Sequence, residues 1–375
     1  MICLPGYKNG RVGDIIDNGQ RDERMKAMLE RPDETKRRKA EHIDIVLKRD
    51  VTGKTITTGF EEYRFRHQAL PEIDFDTVSL ATSFLGKQVK APLLISSMTG
   101  GTKETGEINR RLAQAAQARG WVLGLGSMRV ALESAEALET FQVRQFAPDI
   151  PILANIGAVQ LNKGLQVDDC RRLVDLIKAD GLVLHLNPLQ EVFQPEGDTQ
   201  FSGLLQKIEH LCRKLEFPVG VKEVGWGIHG SLAKALVERG IAFIDVAGAG
   251  GTSWSQVEKY RSYNPVRFAA ADAFREWGLP TAQCVIDVRY HVPDVPVIAS
   301  GGLHHGVDAA KAIALGADLA GFGRTLLKSA ADMDLDALMQ RLEQIELEMR
   351  ICMFASGIRA VTELKHTEKL EKVNG

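Results

Sequence analysis

Eight short apolar runs, evenly interleaved with amphipathic stretches, set the strongest constraint on what this 375-residue chain can fold into. They are residues 92–98, 121–126, 151–156, 182–186, 218–223, 242–246, 296–300 and 319–323. Each is too short for a helix and is bounded by Gly, Pro or polar residues, the mark of a buried strand. Between them, stretches such as 106–119, 230–239 and 307–315 carry apolar residues at helical spacing. That alternation implies βα units and a parallel sheet. Eight units in a row read as a closed (β/α)8 barrel, and an open doubly wound sheet remains the alternative, because periodicity does not prove closure. A last helix carries Leu338, Leu342, Ile345, Met349 and Cys352 at alternating spacings of four and three, so its Met and Cys are expected in the core.

Ahead of the strands, residues 1–34 are polar and without a sustained period, and read as a loosely ordered extension. Residues 35–375 then form a single barrel domain, in which 60–90 is expected to cap one end. The net charge of −2 gives no global field for nucleic acid or an anionic membrane, so any anion site must be local. Five scattered cysteines without a C-x-x-C pair favour reduced thiols. There is no leader-like apolar segment and no run long enough to span a bilayer. The expectation is a soluble, cytoplasmic protein.

In a barrel, chemistry gathers at the C-terminal ends of the strands. The ends here read Ser96-Ser-Met-Thr-Gly-Gly101, Gly126-Ser-Met-Arg129, Asn155-Ile-Gly-Ala158, His185–Glu191, Lys222-Glu-Val-Gly225, Gly248-Ala-Gly-Gly-Thr-Ser-Trp254, Ser300-Gly-Gly302 and Gly321-Phe-Gly-Arg324. All are small or polar. Glycines let backbone N–H groups approach an anion, and a following helix adds a favourable dipole. Gly301, Gly302, Gly323 and Arg324 therefore read as a phosphate site after strands seven and eight. Lys222 sits in an otherwise apolar strand and needs a partner such as a phosphate or an electron-rich ring. Thr252 lies in a glycine loop wide enough for a flat ring. A phosphorylated planar cofactor, FMN, suits these parts. NAD(P)H is expected only to visit.

The fourth strand ends in Gly181-Leu-Val-Leu-His-Leu-Asn-Pro-Leu-Gln-Glu191. His185 and Asn187, two apart, project from one strand face, and Gln190 and Glu191 follow Pro188 in the loop. Polar groups on an apolar strand end cost desolvation unless something uses them. Glu191 is a hard oxygen ligand able to hold Mg2+ together with substrate phosphates. The run Lys36–His42 reads on its own as a solvated helix end or a nucleic-acid tail. His229, His304 and His305, at helix starts, read as structural caps, the last two facing solvent.

Together the motifs resemble the type 2, flavin-dependent isopentenyl-diphosphate isomerases, from about Arg38 to Leu364. The resemblance rests on Arg38-Lys-Ala-Glu-His42, His67-Gln-Ala-Leu-Pro-Glu72, Ser97-Met-Thr-Gly-Gly101, Gly126-Ser-Met-Arg129, His185-Leu-Asn-Pro-Leu-Gln-Glu191, Lys222-Glu-Val-Gly225, Gly250-Gly-Thr-Ser-Trp254 and Ala299-Ser-Gly-Gly302. Met128 stands where that family more often has Gln, and the extension before Arg38 is longer than usual. The resemblance implies a (β/α)8 barrel of the FMN-dependent type, interconversion of isopentenyl and dimethylallyl diphosphate, reduced FMN, Mg2+, NADPH as reductant, and a homotetramer or octamer. It implies FMN held by Ser97, Met98, Thr99, Ser127, Asn155, Lys222, Thr252, Gly301, Gly302, Gly323 and Arg324. The diphosphate falls to Arg38, Lys39, His42, Ser127, Arg129, Asn187 and Gln190, and Mg2+ to Glu191. On this reading the segment 35–90 clamps an acidic substrate, and the basic run is no nucleic-acid tail.

Moving a double bond needs one proton added and another removed, with positive charge building on carbon. No side chain here is an obvious strong acid, so flavin N5 is the expected proton carrier, with His185 and Gln190 auxiliary. A 2-hydroxy-acid dehydrogenase would need a His base and an Arg after the sixth strand, and Gly250–Trp254 has neither. A flavoprotein without catalysis would show decay at Arg38, Lys39, Gln190 or Glu191, which are intact.

Overall fold

The computed structural model describes residues 32–365 and 367–373, with side chains from Arg37 onward. The expected extension 1–34 lies outside the described residues up to Arg31, and a helix, α1 (Pro32–Lys48), begins at its end. Eight parallel strands follow: β1 (Leu93–Ile95), β2 (Val122–Gly124), β3 (Ile152–Gly157), β4 (Gly181–His185), β5 (Val219–Lys222), β6 (Phe243–Asp245), β7 (Val297–Ser300) and β8 (Leu319–Phe322). Each pairs with the next, and β8 pairs with β1 through Phe322↔Ile95, so the sheet closes. The open-sheet alternative is thereby removed. All eight expected strands are present: β3 and β4 keep their expected length shifted by one residue, and the other six are shorter than expected.

Three helices matter for the site: α2 (Pro188–Phe193), α3 (Trp254–Arg261) and α4 (Arg324–Ala331). The long α5 (Leu335–Ala355) buries Leu338, Leu342, Ile345 and Met349 as expected, but Met353 rather than Cys352 completes its stripe. Cys352 is half-buried at the stripe's edge. The described cysteines are all free thiols. No helix among the described residues is long and apolar enough to cross a membrane.

Side chains alternate along each strand, and this alternation divides the barrel interior into two layers. The lower layer is apolar: Leu94, Val122, Leu153, Val183, Phe243, Ile298 and Leu319 form one buried cluster. Two residues further along the same strands come Ser96, Gly124, Asn155, His185, Asp245, Ser300 and Gly321, with Lys222 on β5. The upper layer is therefore polar or glycine throughout. Outward-facing Leu93, Ile95, Ile152, Ala154, Leu182, Leu184, Val221 and Ile244 pack into the separate core beneath the helices.

The antiparallel hairpin Thr82–Phe84/Lys87–Val89 joins the lower cluster through Phe84 and Val89. Phe84 stands edge-on to Phe243, ring centroids 5.5 Å apart. This hairpin closes the N-terminal end of the barrel. Within the segment 35–90, then, α1 borders the polar layer whereas the hairpin sits at the opposite end, where it cannot touch anything bound above.

Candidate active site

Above the polar layer lies a cavity of about 310 Å3. Every residue proposed from sequence for cofactor, substrate or metal lines it, from Arg38, Lys39 and His42 on α1 to Gly323 and Arg324 at β8. What joins them is the barrel mouth, reached from all eight strands and from α1, which lies against α3 and α4.

One end of the cavity is a glycine cradle. Gly301 (φ +105°) and Gly302 (φ +77°) occupy the left-handed region, which costs glycine little and other residues much. A Cβ on Gly301 would lie 2.2 Å from Gly248 O, and one on Gly302 2.6 Å from Gly250 O. Gly323 caps the N-terminus of α4, and a Cβ there would meet nothing nearer than Ser96 Cβ at 3.9 Å. Backbone N–H groups and a helix N-terminus facing open space suit a phosphate. Next to the cradle the buried Lys222 donates from Nζ to Glu223 O at 2.5 Å and forms no ion pair within 4.0 Å among the described residues. Ser96 Oγ is buried without a hydrogen-bond partner. A flavin phosphate on the glycines, with its ring near Lys222, would use these unspent groups.

The other end is a well of positive charge. Arg38, Lys39 and Arg129 converge there, with Arg38 3.6 Å from Glu196 and Arg129 4.0 Å from Asp198. Lys39 Nζ donates to Gly100 O and to Ser127 O, and lies 5.3 Å from the centroid of the Phe141 ring. Burial, reinforced by Arg38 and Arg129, pulls the Lys39 ammonium down to about 7. Burial and Arg129 also lower Arg38. Cations crowded at the expense of their own charge are stabilised by a multivalent anion.

Between the two ends stands His185. Its Nδ1 is 2.8 Å from Asn155 Oδ1. Burial, then Lys222 and Arg38, hold the ring down to about 3, so it is neutral. With the Asn155 carbonyl accepting at Nδ1–H, the Nε2 lone pair is left for the cavity. Beyond it, Asn187 Nδ2 donates to Glu191 Oε1 at 2.8 Å, and the Asp198 backbone N–H to Glu191 Oε2 at 2.6 Å. Burial raises the Glu191 carboxyl despite these donors. Asn187 Oδ1 and Gln160 Oε1 are buried without partners. No group of three His, Cys, Asp or Glu side chains placed to hold a metal ion exists among the described residues. A hard cation here would therefore take Glu191 and complete its shell with amide or phosphate oxygens and water.

Sequence reasoning missed the group that holds this end together. Glu258 on α3 is fully buried; its Oε1 accepts from His42 Nε2 at 2.8 Å and Gln190 Nε2 at 3.2 Å, and its Oε2 from Arg261 Nη1 at 2.6 Å. Arg261 also reaches Glu41 and Glu196. Five successive residues of α3, Ser255 to Lys259, are buried, a pattern without the exposed face that a surface helix needs. His304 is exposed as expected and also lines the cavity rim, with Nδ1 3.3 Å from Thr325 Oγ1. His305 stays outside, and His229 caps its helix as expected.

A family model described as FMN-dependent dehydrogenase matches residues 33–148 and 184–371. The isopentenyl-diphosphate delta-isomerase of Oceanobacillus iheyensis is 52% identical over 333 residues, covering 89% of this chain and 95% of that protein. The enzyme of that name from a Nostoc species is 48% identical over 340 residues, covering 91% and 97%. Among solved structures, a flavocytochrome b2 superposes with a TM-score of 0.64 at 18% identity (88% and 82% covered), and a mandelate oxidase with 0.62 at 19% (88% and 94%). These last two bear on the fold alone. On sequence and fold together, the chain belongs to the isopentenyl-diphosphate delta-isomerases, built on the barrel of the FMN-dependent dehydrogenases.

Proposed function

We propose that the protein interconverts isopentenyl and dimethylallyl diphosphate, with reduced FMN in the cradle and Mg2+ at Glu191. The observation that carries this reading is one cavity with two anion sites, a glycine cradle and a cationic well, facing each other across a neutral histidine. A flavin phosphate needs one, and a substrate diphosphate the other. Reduced FMN, when bound, supplies a proton carrier at N5 and an electron-rich face toward developing positive charge.

The chain's own residues do the rest. Arg38, Lys39 and Arg129 bind the diphosphate, whose charge lets Lys39 take up a proton. Glu191 would hold the hard cation that offsets the charge of the diphosphate. Glu258 accepts from the Gln190 amide, which turns Gln190 Oε1 toward Asn187 at 3.3 Å. His185 offers a lone pair at Nε2 to the cavity. Helix α1 covers the well and excludes water that would trap a cation. NADPH as the electron source, and a homo-oligomeric assembly, belong to the same reading.

The test is an anaerobic assay with FMN, Mg2+ and isopentenyl diphosphate, with and without dithionite. Dimethylallyl diphosphate is expected only with reduced flavin. FMN bound but no product under either condition would overturn the isomerase reading.

A further inference from the structure

Helix α1 does not end at the substrate well. It runs on into an extended strap, residues 50–58, that lies along the glycine loops of the cofactor side. The Ser253 backbone N–H donates to Val51 O at 2.7 Å, and Thr52 bridges Thr252 in antiparallel fashion. Thr52 itself lines the cavity. Further along, a Cβ on Gly250 would lie 2.3 Å from Thr58 N, and one on Gly302 2.6 Å from Thr58 Cγ2. The strap thus backs both the ring loop and the phosphate turn, and those glycines leave it room to do so.

What holds the strap comes from a short turn after the helix Pro265–Ala273. Glu276 accepts from three successive backbone N–H groups: Lys54 at 2.7 Å, Thr55 at 2.9 Å and Ile56 at 2.7 Å, with Thr55 Oγ1 at 2.8 Å. Its neighbour Arg275 donates to Thr52 O at 3.0 Å and reaches Asp50 at 3.8 Å. Successive N–H groups converging on one carboxylate form an anion nest. Glu276 is exposed, so the contact is made in water and can be undone at small cost, as a part that opens and closes requires.

We propose that Glu276 and Arg275 form a latch: by hooking residues 50–58 they hold shut the wall behind the flavin and tie flavin retention to the substrate-clamping helix. The proposal rests on the reading that FMN occupies the glycine cradle. Glu276 touches neither cofactor nor substrate and acts by positioning.

The experiment compares the full-length parent with Glu276→Gln and Glu276→Ala, loaded with FMN. Flavin dissociation is followed by fluorescence recovery, and amide exchange is measured at Lys54, Thr55 and Ile56. The latch predicts FMN release faster by about tenfold in Glu276→Ala, equivalent to ~1.4 kcal/mol, and by less in Glu276→Gln, which keeps one acceptor oxygen. It also predicts faster exchange at the three amides, weaker binding of inorganic pyrophosphate, and an unchanged melting temperature of the flavin-free protein. Release rates equal to the parent's would overturn the latch while leaving the flavin reading intact. A parent that fails to bind FMN would overturn both. A general loss of melting temperature matching the faster release would also count against the latch, since it would make Glu276 an ordinary stabilising contact.

Discussion

Glu258 is the sharpest point at which the architecture can be challenged. Its carboxyl has no exposure, and burial works against its charge, yet His42 and Arg261 outweigh burial and hold it at about 2 instead of 4.5. At about 1.4 kcal/mol per factor of ten, that difference corresponds to ~3 kcal/mol of folding free energy at neutral pH. Counting contacts gives a similar size, since removing one partner of a buried ionic network costs about 3–5 kcal/mol. Glu258→Gln keeps the shape but removes the charge and sets an N–H2 group against donors. The expected loss is ~3 kcal/mol in denaturant unfolding at pH 7. The pH dependence follows from the direction of the shift. A carboxyl whose folded value is depressed contributes fully above its unfolded value of 4.5, and the contribution drains away as pH falls through about 2. The gap between parent and variant should therefore be widest near neutrality and narrow on acidification below 4.5. A loss under ~1 kcal/mol at pH 7, or a gap that stays constant into acid, would refute the reasoning.

Two further perturbations separate the ends of the barrel. Lys39 is depressed from 10.5 to about 7, so its charge opposes folding of the empty protein, fully so below about 7 and not at all above 10.5. Lys39→Met should raise the melting temperature of the ligand-free protein at pH 6 while weakening inorganic pyrophosphate binding in calorimetry; a lower melting temperature with unaltered pyrophosphate affinity would contradict the well. Phe84→Ala empties the stopper against Phe243 and should cost about 3–5 kcal/mol in denaturant unfolding. FMN affinity of the folded fraction should stay at the parent's value, and a matching loss of FMN affinity would show that the hairpin reaches the site.

The barrel could be read from the sequence because its strands are apolar on both faces for most of their length and turn polar or glycine at one end. Leu94–Ser96, Leu153–Asn155 and Val183–His185 each make that change within two residues, a local pattern that needs no tertiary knowledge. Glu258 and Arg261 were invisible for the opposite reason. In Trp254-Ser-Gln-Val-Glu-Lys-Tyr-Arg261 they look like the solvated face of an ordinary helix, and only the docking of α1, α2 and the helix Pro265–Ala273 around α3 removes them from water. Glu276 escaped for a third reason. A single acidic residue in a polar turn has no period, and its partners are backbone groups more than two hundred positions away. Histidines 304 and 305 show the same limit: adjacent in sequence, they part at the cavity rim.

The hairpin below the barrel makes the interior a blind well. The polar layer is therefore open to water only at the C-terminal ends of the strands, beneath α1 and the strap 50–58. Whatever binds there enters and leaves past those two segments, so the rate at which they move sets an upper limit on exchange for every ligand of the cavity.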